Sequence, residues 1–376
     1  MSTHLPIGTH LDSETAASLL AHRLNRHTFW CGQSGSGKTY ALGVLLEQVM
    51  LHTELPIVVL DPNSDFTELG SVRADAPEDA SAELARRTVR VLRPGDGAEN
   101  PLKVRFVDMD IRSRSAILQL DPIRDADEFN TMIRSAAAGL PDMDEPLVEW
   151  LRRSGDEQFL RIAVRLENLG VADWDLWAWG RPDVTDAIAE RADATVVDLG
   201  SFGTPEESQA TALAVLDNLW AHRGQRVGRL VVIDEAHNLC MPNPSTPLER
   251  LLTDRIVQIA AEGRKYGIWL LLSTQRPSKV HPNALSQCDN LGLMKMSSAL
   301  DLAELGQVFG YAPPAPPRSF AVVRPGTGAL RRRVRADSPD RPGRCSSHSR
   351  GRIGCRGPTA VTTGVTHWDD PGGMTM

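Results

Sequence analysis

Residues 32–39 are Gly32, Gln33, Ser34, Gly35, Ser36, Gly37, Lys38 and Thr39, which fit the spacing G-x-x-x-x-G-K-[ST]. This stretch restricts the fold more than any other, because the motif carries meaning only between a strand and a helix. Both flanks comply. Thr28, Phe29, Trp30 and Cys31 form a short apolar run before it, and residues 41–50 carry apolar side chains at helical spacing after it. In that setting the glycines let backbone N–H groups turn around phosphate oxygens. Lys38 reaches the β- and γ-phosphates, and Thr39 is placed to hold Mg²⁺. The helix N-terminus adds a favourable field for an anion. With Tyr40 next in line, residues 32–40 are the expected nucleotide-binding stretch. The competing explanation is a chance Gly/Ser turn, and the strand and helix on either side argue against it.

The rest of the chain predicts what surrounds this loop. Residues 56–61, Pro-Ile-Val-Val-Leu-Asp, suit a parallel strand buried on both faces. A turn-rich segment with Asp61 and Asp65 follows. Residues 89–92, 104–106, 194–199, 230–233, 268–273, 291–294, 320–323 and 330–334 are further expected strands, and 206–222 and 247–263 are expected helices. A short helix is expected within 13–24, capped by Asp12 or Ser13. Residues 113–180 turn helical, with apolar stripes over 125–137 and 147–169, and predict a helical insertion. Trp174, Trp177 and Trp179 close it. They either stack on a base or a partner, or pack the insertion onto the core, the commoner use of such rings. The repeated strand–helix alternation predicts an α/β fold with a mostly parallel sheet and ligands at the carboxyl ends of its strands. After about residue 336 the composition becomes rich in Ser, Arg, Gly, Pro and Thr without apolar period, which predicts a disordered tail. The expected organisation is therefore one domain over 1–335 and a tail over 336–376.

The formal net charge of −7 argues against a general nucleic-acid sponge. It leaves room for a local basic stripe. Cys31, Cys240, Cys288, Cys345 and Cys355 have no close metal spacing, and no secretory pattern precedes them, so reduced cytosolic thiols are expected. A zinc site from Cys345, His348, Cys355 and His367 is disfavoured by the same poor spacing. No run is long and apolar enough for a membrane span, and no targeting pattern opens the chain. A cytoplasmic protein without membrane contact is the expectation.

A second motif lies at 230–237, where an apolar strand ends in Asp234 and Glu235. Asp234 is placed to help hold Mg²⁺, and Glu235 to orient or deprotonate an attacking water. Alternatively the pair merely caps the next segment. Ser273, Thr274, Gln275 and Arg276 end the strand that follows. The Gln275 amide either touches a γ-phosphate or only bonds backbone in a turn. Arg264, just before that strand, either neutralises charge on a neighbouring subunit's nucleotide or simply sits at a helix C-terminus, where a cation is favoured anyway.

Together these stretches resemble the HerA/FtsK branch of P-loop ATPases, specifically bacterial HerA-like proteins of the helicase and DNA-translocase type. The resemblance is carried by residues 27–39, 61–66, 197–202, 232–239 and 262–278, then Gln275 to Val280, Pro282-Asn283 and Gln287-Cys288-Asp289, within about 25–325. It implies a RecA-like core, hexameric rings with ATP sites at subunit boundaries, pumping of double-stranded DNA, and in some members a nuclease partner. On matched positions it implies Lys38 and Thr39 on phosphates and Mg²⁺, Asp234 in the Walker B site and Glu235 as catalytic acid. It also implies Gln275 at the sensor position and Arg264 as the trans-acting finger, with Arg276 as a weaker choice. Asp61 and Asp65 match the acidic segment after the second strand. One departure is that only 31 residues precede Gly32, too few for the N-terminal β-barrel usual in HerA proteins. The expected activity is Mg²⁺-dependent ATP hydrolysis that either moves DNA or gates assembly with a partner such as a nuclease. A kinase is disfavoured, since no acceptor-binding motif is visible and Glu235 beside Asp234 favours water.

Overall fold

The computed structural model describes residues 3–10, 15–74, 76, 78–137, 146–178 and 182–309, with two further strands at 321–323 and 361–365. The strands are β1 (His4–His10), β2 (Ala16–Leu20), β3 (His27–Cys31), β4 (Ile57–Asp61), β5 (Val89–Leu92), β6 (Ala194–Asp198), β7 (Arg229–Ile233), β8 (Ile268–Thr274), β9 (Cys288–Met294), β10 (Ala321–Val323) and β11 (Val361–Val365). They form one sheet in the order β2-β1-β10-β11-β9-β3-β8-β7-β4-β6-β5. From β9 to β5 every pairing is parallel. From β2 to β9 every pairing is antiparallel.

The parallel half follows from its sequence. Every residue of β3, β4, β6 and β7 is buried, as expected where helices cover both faces. The period of two then divides the core. Phe29, Val58, Leu60, Val231 and Ile233 face one apolar cluster. Trp30, Ile57, Val59, Leu230 and Val232 face the other. The helices are α1 (Lys38–His52), α2 (Glu78–Leu84), α3 (Ile111–Ile117), α4 (Ala126–Ala137), α5 (Leu147–Arg153), α6 (Glu157–Asn168), α7 (Val184–Ala189), α8 (Pro205–Ala221), α9 (Pro247–Glu262), α10 (Pro282–Leu285) and α11 (Ala299–Val308). Of these α8 and α9 start alike. Thr204 and Thr246 cap backbone N–H groups, Glu207 and Glu249 reach back, and a proline takes the first turn. Helix α1 packs its apolar side chains with Trp30 and Val232, while α8 and α9 lie in the opposite cluster.

Three expectations need correction. Residues 16–20 are a strand and not a helix: β2 pairs antiparallel with β1, burying Leu5, Ile7 and Ala17 beside α1. Pairing with a neighbouring strand here overrides local helix preference; Asp12 and Ser13 lie outside the described residues. Residues 104–106 form no strand. Val104 makes a single bridge to Trp177, and Phe106 starts a 3-10 turn. The stripe over 147–169 is two helices, because Gly155 turns left-handed (φ 71°) and Asp156 caps α6 anew.

The insertion is helical as expected. Trp177 donates to the Val171 carbonyl (2.7 Å), meets Phe106 edge-on and stacks on Trp174. Trp177, with Trp174 against it, thus packs the insertion onto the apolar cluster that also holds Phe29 and Val58, as expected; Trp179 lies outside the described residues. The sheet gains β10 near the expected 320–323, whereas 330–334 lies outside the described residues. So does the stretch expected as a tail, apart from β11.

Two measurements probe this frame. A Cβ on Gly292 would lie 2.2 Å from Trp30 Cε3, whereas one on Gly224 meets nothing within 4 Å. Gly292→Ala is therefore expected to cost about 2 kcal/mol or more in urea unfolding, and Gly224→Ala less than about 0.5 kcal/mol. His27 is fully buried and its Nδ1 accepts the Leu270 N–H at 2.8 Å. Burial, followed by the Arg264 charge, lowers its pKa to about 4. The neutral ring suits the fold and the unfolded chain protonates near 6.5, so this contribution is intact above pH 6.5 and is lost as pH falls to about 4. An NMR titration should find the His27 ring changing near pH 4 and not near 6.5.

Candidate nucleotide site

The loop between β3 and α1 lies at the carboxyl edge of the parallel strands. Gly35 (φ 73°) and Gly37 (φ 80°) are left-handed, which side chains rarely tolerate. A Cβ on Gly32 would come within 2.4 Å of Met294 Cβ and 2.7 Å of Ser36 Oγ. The loop is tied to both neighbouring strands: Gly32 N–H donates to the Thr274 carbonyl (3.3 Å) and Gln33 N–H to the Lys295 carbonyl (3.0 Å). Ser34 and Gly35 are exposed, while Thr39 and Tyr40 are half-buried in the first turn of α1.

Strand β8 lies between β3 and β7, so the ends of three strands converge. Lys38 Nζ donates to Asp234 Oδ1 (2.7 Å) and Ser273 Oγ (2.9 Å), and lies 3.2 Å from Glu235 Oε1. All three charged side chains are buried. Burial works against the Lys38 ammonium, but the carboxylates of Asp234 and Glu235 outweigh it and raise its pKa. Burial works equally against the Glu235 carboxylate. Its hydrogen bond with His237, then the Lys38 charge and the Gln275 N–H, hold its pKa below the usual range.

Glu235 itself is left-handed (φ 41°), which turns the chain sharply at the end of β7. Its Oε2 accepts the Gln275 N–H (3.3 Å) and lies 3.2 Å from His237 Nδ1. Gln275 therefore meets Glu235 through its backbone. Asp234 Oδ2 and Ser36 Oγ are buried without a hydrogen-bond partner among the described residues. An unpaired buried carboxylate oxygen and hydroxyl at a glycine loop that opens a helix fit a phosphate with its Mg²⁺. Among the described residues no group of three His, Cys, Asp or Glu forms a metal site by itself. A hard cation here would complete its shell with phosphate oxygens and water.

Beside this centre is a second polar cluster. Asp61 is fully buried and its two carboxyl oxygens accept the N–H groups of Asp65 (3.0 Å) and Phe66 (2.8 Å). Burial pushes its pKa up to about 7 against those two hydrogen bonds. Ser64, left-handed at φ 59°, donates to Asp198 Oδ1 (2.6 Å), and Ser201 donates to Asp198 Oδ2 (2.7 Å). A Cβ on Gly200 would strike Ser64 Oγ at 2.6 Å. The turns after β4 and β6 are thus locked together. Sequence reasoning missed Ser273 and His237 as parts of the centre and Ser64, Asp198 and Ser201 as parts of the cluster beside it; only their positions at or just after strand ends hinted at them.

Arg264 is not brought to the site. It sits before β8, at the opposite edge of the sheet and about 20 Å away by strand rise, ion-paired with Asp289, which also takes Arg26 at 3.2 Å. Within one chain it stands apart from Lys38. Arg276 is exposed.

Comparison with known proteins agrees with this geometry. Residues 5–141 match the family described as "Helicase HerA, central domain". Over that stretch the chain is similar to a HerA-type P-loop ATPase domain. A segment of 72 residues is 40% identical to the DNA double-strand break repair helicase HerA of Sulfurisphaera tokodaii, covering 19% of this chain and 14% of that one. A segment of 71 residues is 35% identical to a probable helicase of Methanocaldococcus jannaschii, covering 19% and 13%. The matched segments thus span about a seventh of each relative's length. Among solved structures, VirB4 of Thermoanaerobacter pseudethanolicus superposes with a TM-score of 0.54 at 17% identity, covering 89% of this chain and 97% of that one. At that identity the likeness concerns the fold alone: a mostly parallel sheet with helical insertions, as in RecA-like P-loop NTPases. No helix among the described residues is long and apolar enough to cross a membrane.

Removing Lys38 leaves two buried carboxylates without their counter-charge. Lys38→Ala should lower stability by about 3 kcal/mol with no nucleotide present, and adding Asp234→Asn should restore part of it. Urea unfolding of the two variants measures both effects.

Proposed function

We propose that this chain hydrolyses ATP with Mg²⁺, as a HerA-like motor acting on double-stranded DNA. The observation that carries this reading is the Lys38 ammonium, held between Asp234 and Glu235 directly beneath the glycine loop. Within residues 32–40, the Lys38 ammonium and backbone N–H groups other than those of Gly32, Gln33 and Ser36, which already bond carbonyls, would take the phosphates. Thr39 and Asp234 would hold Mg²⁺, which supplies positive charge to the phosphate oxygens when bound.

Glu235 would orient the water and accept its proton as the water oxygen bonds to the γ-phosphorus. The bond from that phosphorus to the bridging oxygen breaks, and ADP departs. Gln275 would report on the γ-phosphate from the end of β8. Arg264, facing away from its own site, would serve a neighbouring subunit in a homo-oligomeric ring, a hexamer by family likeness. On this reading residues 1–335 act as one ATPase domain in a cytoplasmic assembly.

Glu235→Gln is expected to bind ATP but to lower kcat about 100-fold or more, while Lys38→Ala loses ATP binding. An unchanged steady-state rate for Glu235→Gln would refute the assignment. Measured on a sizing-column fraction, the wild-type ATPase should rise with double-stranded DNA, and the rise should fade with salt. A rate indifferent to DNA but altered by a nuclease partner would instead favour an ATP-gated assembly factor.

A further inference from the structure

Glu235 is held on both carboxylate oxygens by different kinds of group. Oε1 lies 3.2 Å from Lys38 Nζ. Oε2 lies 3.2 Å from His237 Nδ1 and accepts the Gln275 N–H at 3.3 Å. His237 belongs to the short 3-10 turn that the left-handed Glu235 begins, and its ring reaches across to β8, where Nδ1 lies 3.0 Å from Thr274 Oγ1. Thr274 Oγ1 in turn accepts the Arg276 N–H at 3.0 Å. A bare Nδ1 would set one lone pair against a carboxylate, so the proton sits on Nδ1 and is directed at Oε2 and Thr274.

The two ends of the carboxylate therefore differ in what can release them. Lys38 is the residue proposed for the phosphates, and a γ-phosphate that draws it away frees Oε1. His237 and the Gln275 N–H have no such competitor and keep Oε2 fastened to β8. We propose that His237 is a positioning residue of the ATPase, fixing Oε2 of Glu235 through Nδ1 so that Oε1 faces the attacking water. This rests on the role proposed above for Glu235. The backbone makes such a clamp necessary: a left-handed glutamate at a strand end has no regular element to set its side-chain direction, and general-base catalysis is sensitive to small misplacement.

The side-chain nitrogen of asparagine overlays Nδ1 of histidine, and that of glutamine overlays Nε2. That difference gives the test. Purified wild type, His237→Ala, His237→Gln and His237→Asn are assayed for steady-state ATPase with double-stranded DNA, alongside Glu235→Gln and the double variant Glu235→Gln/His237→Ala. His237→Ala and His237→Gln should lower kcat about 10- to 100-fold with KM for ATP unchanged within about twofold. His237→Asn should recover most of the rate, and His237→Ala should cost nothing further in the Glu235→Gln background. A loss that asparagine does not rescue, or one that appears in KM alone, overturns the proposal. So do wild-type rates in all three single variants. A fully active Glu235→Gln would instead remove the catalytic role of Glu235 itself, which separates the two failures.

Discussion

The centre of this protein depends on one buried ammonium. Lys38 donates to Asp234 and Ser273 and pairs with Glu235, all of them buried. Burying one positive and two negative charges is costly unless each is paired. Here the cost is offset because the ammonium donates to both the carboxylates and the hydroxyl, in surroundings where water does not screen them. The remaining Asp234 oxygen keeps no protein partner among the described residues. The centre thus keeps spare acceptor capacity on Asp234, which suits a cation bound with a phosphate.

The sheet is what makes such a centre possible. Strand β8 enters between the loop strand and the strand carrying Asp234, with Cys31 beside Thr274 and Ile233 beside Leu272. Three strand ends therefore open at one edge, and each contributes a polar group within hydrogen-bond reach of the next. The neighbouring strands β4 and β6 end in their own polar lock, in which Asp61, Ser64, Asp198 and Ser201 fix two turns. The carboxyl ends of β8, β7, β4 and β6 are polar, while both faces behind them are apolar. Strand β9, parallel to β3 on its other side, adds a different support: its Met294 lies so close to Gly32 that a Cβ there would come within 2.4 Å of it.

The helical insertion stands aside from this chemistry. Its aromatic residues meet each other and Phe106, and its Trp177 indole N–H is satisfied by Val171. Trp177 joins the apolar cluster of the sheet, so these rings pack the insertion onto the core. The opposite edge of the sheet, where Arg264, Arg26 and Asp289 pair, is charged and remote from Lys38. Arg264 therefore takes no part in the Lys38 centre of its own chain.

Much of this was written in short spacings. The loop motif needs only eight adjacent residues, the buried strands announce themselves as apolar runs, and α8 and α9 carry Thr-Pro caps with a glutamate three residues on. Local spacing also marked Asp234 and Glu235 as strand-end acids. The sequence was misleading where pairing decides: residues 16–20 extend because β1 lies beside them, and residues 104–106 do not, because only Trp177 does. The centre itself was the least legible part. Lys38 and Asp234 are 196 positions apart, and no local pattern states that β8 will lie between their strands. Ser273, Thr274 and His237 gain their roles from that strand order alone, since hydrogen bonds act over about 3 Å and only the folded sheet brings these groups that close.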